Sequence, residues 1–324
     1  MEFGDVPINL NRLRLFLAVV EHGGVRKAAA AISISQPAVS QAIQALEAEL
    51  GLDLLERVGR HVRPTEAGII LAEHGRRIFA EVLEARRALD ELQGIARGHL
   101  SLGASTTIGI YILPDALGTF HQRYPAIELS LNVANTQDIL EQLIEARLDV
   151  AFVEGPVVQP GLTSAPFLED ELVLTVAPNH PLLKQSPVSL ERLAEAPFLM
   201  REAGSGTREV VARALAEWKI VPNVMMELGH TEAIKNAVAA GLGVSILSRM
   251  TVVRDVADGR LTILPIAAGR IRRHLLAVQR SPGFLAPATR AFLEQIQPSL
   301  ADALRQNHEN HARSAGIVPA GHRW

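Results

Sequence analysis

Residues 35–51 read SQPAVSQAIQALEAELG, and the fold of the first sixty-five residues follows from them. Pro37 fits the first turn of a helix, where a missing N–H costs little, and Gly51 ends that helix. Val39, Ile43, Leu46 and Leu50 recur at steps of four and three, which predicts one buried stripe. Ser35, Gln36, Pro37, Ser40, Gln41 and Gln44 lie at the start or away from that stripe. Side chains of these types reach base edges and phosphates when the N-terminal part of a recognition helix enters the major groove. A solvated polar face is the bland alternative, since most surface helices have one.

Upstream, Asn9 is placed to cap a helix with apolar Leu10, Leu13, Phe16, Leu17 and Val20, ended by His22-Gly23-Gly24. Val25 to Ile32 is Ala-rich and predicts a second, short helix before a turn at Ser33-Ile34-Ser35. Downstream, Leu54 to Thr65 holds Gly59 and Pro64 and predicts a two-stranded wing. The wing carries Arg57, Arg60 and Arg63 against Glu56 alone. Residues 1–65 as a whole balance seven basic side chains against seven acidic ones, so the basic charge is local to the wing. Phosphate contacts position a protein on DNA and base contacts specify the site. An even balance predicts modest binding by one copy, and a dimer on a near-palindromic double-stranded site doubles the contacts.

From Thr65 to about Gln93 the pattern is one long helix. Leu71, Gly75, Ile78, Val82, Ala85, Leu89 and Leu92 form a heptad seam, expected to pair two copies of the chain, although packing on its own domain is the simpler alternative. Gly94 and Gly98 bracket a hinge. Strands and helices then alternate: strands at 99–103, 128–133, 150–153, 172–177, 197–200, 224–228 and 244–247, and helices at 108–124, 136–146, 207–218 and 231–240. Such alternation predicts parallel sheets with helices on both faces, in two lobes with a cleft at the strand ends. From Gln306 on, the chain is polar and aperiodic. Its His308, His311 and His322 are read as a disordered tail rather than a metal site.

The turns opening the cleft helices carry hydroxyls. Ser105, Thr106 and Thr107 open the first, Ser205 and Thr207 open another, His230 and Thr231 a third, and Asn135-Thr136 a fourth. A helix N-terminus offers free N–H groups and a positive dipole end, which suits a small anion, although the same residues also serve as helix caps. The GSGTR stretch at 204–208 lacks the Gly-Lys-Ser/Thr ending of a phosphate loop.

Composition narrows the rest. There is no cysteine, which excludes disulfides, thiolate catalysis and Cys-based zinc sites. No metal site and no cofactor are expected. The first ten residues hold Glu2 and Asp5 and no apolar core, so no secretory signal is expected there; no apolar run approaches a membrane span, and the expected location is the cytoplasm. An α/β enzyme is one alternative, but no Gly-x-Ser-x-Gly elbow, metal-binding His pair or dinucleotide fingerprint supports it. A small-anion binding protein is the other, and the N-terminal helices oppose it.

Residues 9–68 resemble the DNA-binding domain of LysR-type transcriptional regulators. The resemblance is carried by NRLRLFLAVVEHGG (11–24), KAAAAISISQPAVSQAIQALEAELGLDLLER (27–57) and RPTEAG (63–68), and continues to about residue 300. It implies a winged helix-turn-helix at 1–65, a dimerising linker helix at 66–93 and a hinge at 94–98. It further implies a two-lobed α/β effector domain similar to periplasmic binding proteins, with lobe I at 99–171 and 273–300, lobe II at 172–272 and a tail at 301–324. By the same resemblance Gln36, Pro37, Ser40 and Gln41 read bases, Arg57 is the wing arginine, and Ser105, Thr107, Thr136 and Thr207 meet the effector. A homodimer or homotetramer joined by Leu71, Ile78, Val82, Leu89 and Leu92 is implied, and RNA polymerase is a further expected partner. The chain departs from the family at Gly24-Val25, where Ser-Phe is usual, and at Leu55, where Phe is usual. The stretches GASTTIGIYILP (103–114) and NTQDILEQLIEARLDVAFVEG (135–155) are most similar to a branch containing regulators of sulfite reduction, which does not name the effector.

Overall fold

The computed structural model describes residues 8–58, 61–91, 98–281 and 285–304. Contacts divide the chain into two units, Met1–Arg86 and Arg87–Trp324.

The first unit holds α1 (Leu10–His22), α2 (Val25–Ala31), α3 (Gln36–Leu50), an antiparallel hairpin of β1 (Leu55–Val58) and β2 (His61–Pro64), and most of α4 (Glu66–Glu91). Asn9 caps α1 by accepting from the N–H groups of Asn11 and Arg12 at 3.0 and 3.2 Å. Gly23 ends α1 in the left-handed region at φ 66°, which glycine enters without strain. Val39, Ile43 and Leu46 are buried as the spacing of α3 predicts, and Leu50 is half-buried. Leu46 meets Leu13, Phe16, Leu54 and Ala72 in one core, while Val39 and Ile43 meet Val19, Ala28 and Ala29 in another.

Three motif residues acquire physical roles here. Glu47 Oε1 accepts from the N–H groups of Leu54 and Leu55, at 2.9 and 3.2 Å, and so fixes the entry to the wing. The Thr65 hydroxyl donates to the Asp53 carbonyl at 2.7 Å and accepts from Gly68 N–H at 3.1 Å, capping α4. A Cβ on Gly68 would lie 2.1 Å from the Leu54 carbonyl oxygen, so only glycine lets α4 approach the wing this closely. The heptad seam changes in this light. Leu71 packs on the first unit's own core, and a Cβ on Gly75 would touch Leu13 at 3.0 Å. Ile78 and Val82 are exposed. The side chains of Ala85 and Leu89, and the whole of Leu92, lie outside the described residues.

The second unit runs β3 (Gly98–Ser105), α5 (Thr106–Tyr111), α6 (Leu113–Arg123), β4 (Ile127–Ala134), α7 (Thr136–Ile144), β5 (Val150–Glu154), β6 (Leu162–Val176), α8 (Leu190–Glu195), β7 (Pro197–Arg201), α9 (Gly206–Glu217), β8 (Asn223–Leu228), α10 (Thr231–Ala239), β9 (Ser245–Ser248), α11 (Arg249–Ala257), β10 (Thr262–Leu264), β11 (Ile271–Arg280) and α12 (Pro287–Ile296). One seven-stranded sheet is ordered β10-β6-β11-β5-β3-β4, with β9 also paired to β6. β3 is parallel to β4 and β5, and β7 is parallel to β8.

The sheet departs from the all-parallel expectation. β11 is antiparallel to both β5 and β6, and β6 is antiparallel to β9 and β10. The fifteen-residue β6 begins ten residues earlier than the strand expected at 172, because it passes from one core to the other. In the first lobe Phe120, Phe152 and Phe292 pack edge to face among Leu100, Leu102 and Ile108. In the second, Leu174, Phe198, Val211, Val244 and Ile246 form a separate core. The single helix expected over 108–124 is two, broken at Ile112, whose φ and ψ of −120° and −55° leave the helical path. Gly98 belongs to β3 rather than to a hinge. Leu300, Ala301 and Leu304 are buried in the first-lobe core, so the folded domain extends past the tail boundary expected at 301. Residues 305–324, with the three tail histidines, and hinge residues 94–97 lie outside the described residues.

Candidate functional site

In the first unit, Ser35, Gln36, Pro37, Gln41 and Gln44 are exposed and Ser40 is half-buried. Ser35 and Gln36 stand at the start of α3, Pro37, Gln41 and Gln44 lie on the side away from the buried Val39, Ile43 and Leu46, and Ser40 flanks them. In the hairpin Glu56 pairs with Arg63 and Arg57 with Val62, and both arginines are exposed. Arg60 lies outside the described residues. Arg12 is ion-paired with Glu49 at the far end of α3. The unit therefore presents a polar helix start and exposed wing arginines without a side-chain partner claiming the α3 face among the bonds described.

In the second unit the expected hydroxyls are gathered and enclosed. Ser105, Thr106, Thr107, Thr136, Ser205, Thr207 and Thr231 are all buried, none more than 7% exposed. Two of the turns behave as caps: the Asn135 side chain accepts from Asp138 N–H at 2.9 Å, and Ser205 accepts from Arg208 N–H at 3.4 Å. Ser105 does not cap α5, and its hydroxyl has no hydrogen-bond partner among the described residues although it is buried. A buried hydroxyl without a partner is costly, which marks the position. His230 precedes α10 but is exposed, and it does not join the enclosed group.

Sequence reasoning missed the cation at the centre. Arg201, at the end of β7, is 4% exposed. Its Nη1 donates to Thr231 Oγ1 at 3.0 Å and its Nη2 to Thr106 Oγ1 at 3.4 Å, so it joins hydroxyls of the two lobes. Glu202 accepts from its Nε and Nη2 at 2.7 and 2.8 Å. The signal was present in FLMREAGSGTR, an arginine at a strand end just before a glycine turn, but an isolated arginine carries no position until the strand is drawn.

A second network was also missed. Glu154 ends β5, Asp170 lies on β6, and Arg273 faces Asp170 across the β6–β11 pair. Arg273 contacts Asp170 at 2.7 Å and Glu154 at 3.1 Å, Thr207 donates to Glu154 at 2.6 Å, and Ser248 donates to Asp170 at 2.8 Å. All five are buried. Burial pushes the Glu154 carboxyl up, but the Arg273 guanidinium, then the hydroxyls of Thr107 and Thr207, then Arg201 outweigh it and hold it below the ordinary range.

The lobes meet by backbone as well. Gly206 N–H donates to Thr136 Oγ1 at 3.3 Å, and Gln137 N–H to the Gly204 carbonyl at 3.1 Å. A Cβ on Gly206 would lie 2.1 Å from the Glu154 carbonyl oxygen, and Gly204 sits at φ 85°. The enclosed group is therefore distinct from a cavity of about 420 Å³ between α9 and β11. On that cavity Arg213, Arg270 and Arg272 are each ion-paired, with Glu209, Glu171 and Glu169. Among the described residues, no group of three or more His, Asp or Glu could hold a metal, and no helix is long and apolar enough to cross a membrane.

Comparison with known proteins agrees along the chain. The family model described as the bacterial regulatory helix-turn-helix protein, lysR family, matches residues 10–69, and that described as the LysR substrate binding domain matches residues 93–301. The HTH-type transcriptional regulator YeiE of Escherichia coli K12, itself uncharacterized, is 37% identical over 295 residues, covering 90% of this chain and 98% of that one. The HTH-type transcriptional activator CmpR of Synechocystis is 35% identical over 287 residues, covering 89% and 94%. The regulatory domain of Synechocystis CcmR, solved in complex with 2-PG, superposes with a TM-score of 0.59 at 36% identity, covering 63% of this chain and 98% of that one.

Proposed function

This chain belongs to the LysR-type transcriptional regulators, DNA-binding proteins with an effector-binding domain, and from that premise we propose that its effector is a small anion enclosed between the two lobes of the second unit. The observation that carries this reading is Arg201: a buried guanidinium spanning Thr106 and Thr231, at the starts of helices from different lobes. Around it, the hydroxyls of Ser105 and Thr136 supply donors, those of Thr107 and Thr207 are held by Glu154, and Glu202 is the carboxylate an incoming anion displaces from the guanidinium. The bonds to Glu202 and to an incoming anion are both charge-assisted, so the exchange is between bonds of one kind. That a relative's regulatory domain was solved with 2-PG supports a small ligand in this region.

The DNA half follows the same premise. Ser35, Gln36, Pro37, Ser40, Gln41 and Gln44 enter the major groove, and Arg57, Arg60 and Arg63 hold the flanking phosphates. Ile78, Val82, Leu89 and Leu92 join two copies through α4, so a dimer or tetramer meets a near-palindromic promoter. Leu71 acts within its own domain. Effector binding changes lobe closure, and the change reaches the DNA through the assembly by no more than the effector's differential affinity for the two states. RNA polymerase is the partner that reads the outcome, and the cytoplasm is where all three meet.

The test is a thermal-shift series on the full chain with phosphate, sulfate and small mono- and dicarboxylates. One or more should stabilise the protein by about 2.7 kcal/mol at a hundredfold excess over Kd. Arg201→Gln should remove that shift while leaving promoter DNA binding in place. Stabilisation by uncharged solutes alone, or a shift indifferent to Arg201→Gln, defeats the anion reading.

A further inference from the structure

Tyr111 ends α5 in the first lobe, and its hydroxyl reaches α10 of the second. It is hydrogen-bonded to the Glu232 carboxylate and lies 3.3 Å from Lys235 Nζ, which also sits over its ring at 5.5 Å from the centroid. Lys235 is buried, and its ammonium is held at 2.8 Å by Glu232, at 2.7 Å by Asp255 and at 2.9 Å by the Thr251 carbonyl. Arg260 in turn pairs with Asp255 at 3.0 Å. Glu232, Lys235, Thr251, Asp255 and Arg260 all belong to the second lobe. Tyr111 is the side chain that the first lobe contributes to the cluster. Parting the lobes breaks its two contacts and leaves the rest standing.

We propose that Tyr111 is the gating residue of the effector cleft: its hydroxyl, held by Glu232 and Lys235, fastens α5 to α10, and the cleft opens to solutes when that contact breaks. The placement argues for it. The cleft hydroxyls are almost wholly buried behind the interlobe bonds of Arg201, Gly206 and Gln137, so a solute enters only if the lobes separate. Glu232, the acceptor of the Tyr111 hydroxyl, is exposed, which puts this fastening at the surface, while Thr106 and Thr231 meet Arg201 inside. Glu232 is one residue from Thr231 on α10, and Tyr111 is one turn of α5 beyond Thr107. Loosening the outer contact therefore loosens the inner ones. Burial, and then Glu232, raise the phenol to about 12, so the hydroxyl keeps its proton at neutral pH and stays a donor. Tyr111 is a positioning residue: it acts on the effector through the lobes.

This inference rests on the reading that the effector occupies the enclosed cleft, yet its test needs no effector. The first N–H groups of a helix have no intrahelical acceptor, and two here are bonded across the lobes, Gly206 to Thr136 Oγ1 and Gln137 to the Gly204 carbonyl, so their protection depends on lobe closure. Hydrogen exchange on the full chain should show Tyr111→Phe accelerating the amides of Gln137 and Gly206 by about tenfold, the scale of a lost hydrogen bond to a charged group. Amides in the middle of β3 and β11 should exchange unchanged. Glu232→Gln, which keeps an acceptor for the hydroxyl, should accelerate the same amides less than Tyr111→Phe. A silent Tyr111→Phe, or an acceleration spread evenly through β3 and β11, overturns the gate. Failure of the anion screen leaves this result readable.

Discussion

The α3 face and the lobe cleft are built from the same residue types and treated in opposite ways. Ser35, Gln36, Gln41 and Gln44 stand in water, and no bond described here holds their side chains. Ser105, Thr107, Thr136 and Thr207 are buried, and all but Ser105 are tied to Glu154 or to the Gly206 N–H. A long polymer brings its own charge and hydration to an open surface, and unbonded side chains adapt to its groove. A small solute offers few atoms, so its site must be assembled and dried in advance. The difference makes one region's polar residues dispensable to folding and the other's part of it.

The comparison breaks most sharply at Arg273. Arg273→Met leaves Glu154 and Asp170 buried without their cation, and chemical denaturation should register a loss of about 3–5 kcal/mol in the second unit. A loss under 1 kcal/mol would mean that the cleft network is as dispensable as the α3 face. On the α3 side, Gln41→Ala and Ser40→Ala should weaken operator binding by about 1–3 kcal/mol in a gel-shift titration, with stability within about 0.5 kcal/mol of the parent.

A third measurement uses acid. Glu154 is held below its unfolded value, so its contribution is complete above an unfolded pKa of about 4.3 and disappears as pH falls through the lower folded value. Stability should therefore fall on acidification below about pH 5, and Glu154→Gln should flatten that limb while lowering the plateau. Smallest is the change expected at the wing. Arg57→Ala should reduce the slope of log affinity against log salt by about 0.9, the contribution of one phosphate contact. An unchanged slope would take Arg57 off the backbone.

How far the sequence reached follows from the range of the forces involved. α1, α3 and the wing were legible because Asn9, Gly23, Pro37, Gly51 and the stripe of Val39, Ile43 and Leu46 act within a few residues. The hydroxyl turns were legible for the same reason, since each opens its own helix. β11 and the full length of β6 were not, because their partners lie about a hundred residues away and their alternation is interrupted by charges. Those charges are Asp170 and Arg273, whose meaning appears only when the two strands pair. Arg201 and Tyr111 were missed likewise: each is defined by a residue more than ninety positions distant. The break at Ile112 escaped because the pattern expected over 108–124 runs across it, and Pro114, in the first turn of α6, lies inside that span.

Gly206 bears on how such a protein diverges. A methyl group there would overlap the Glu154 carbonyl and the Thr136 hydroxyl, so the place where the lobes touch admits a single residue. Ser105 is under no such constraint: its hydroxyl bonds to no described residue, so a change there would alter what an enclosed effector meets and leave the closing surface intact. A lineage can therefore drift from one effector to another by exchanging the side chain of Ser105, inheriting the closing motion unchanged. Novelty in ligand and continuity in mechanism are separated by the width of one methyl group.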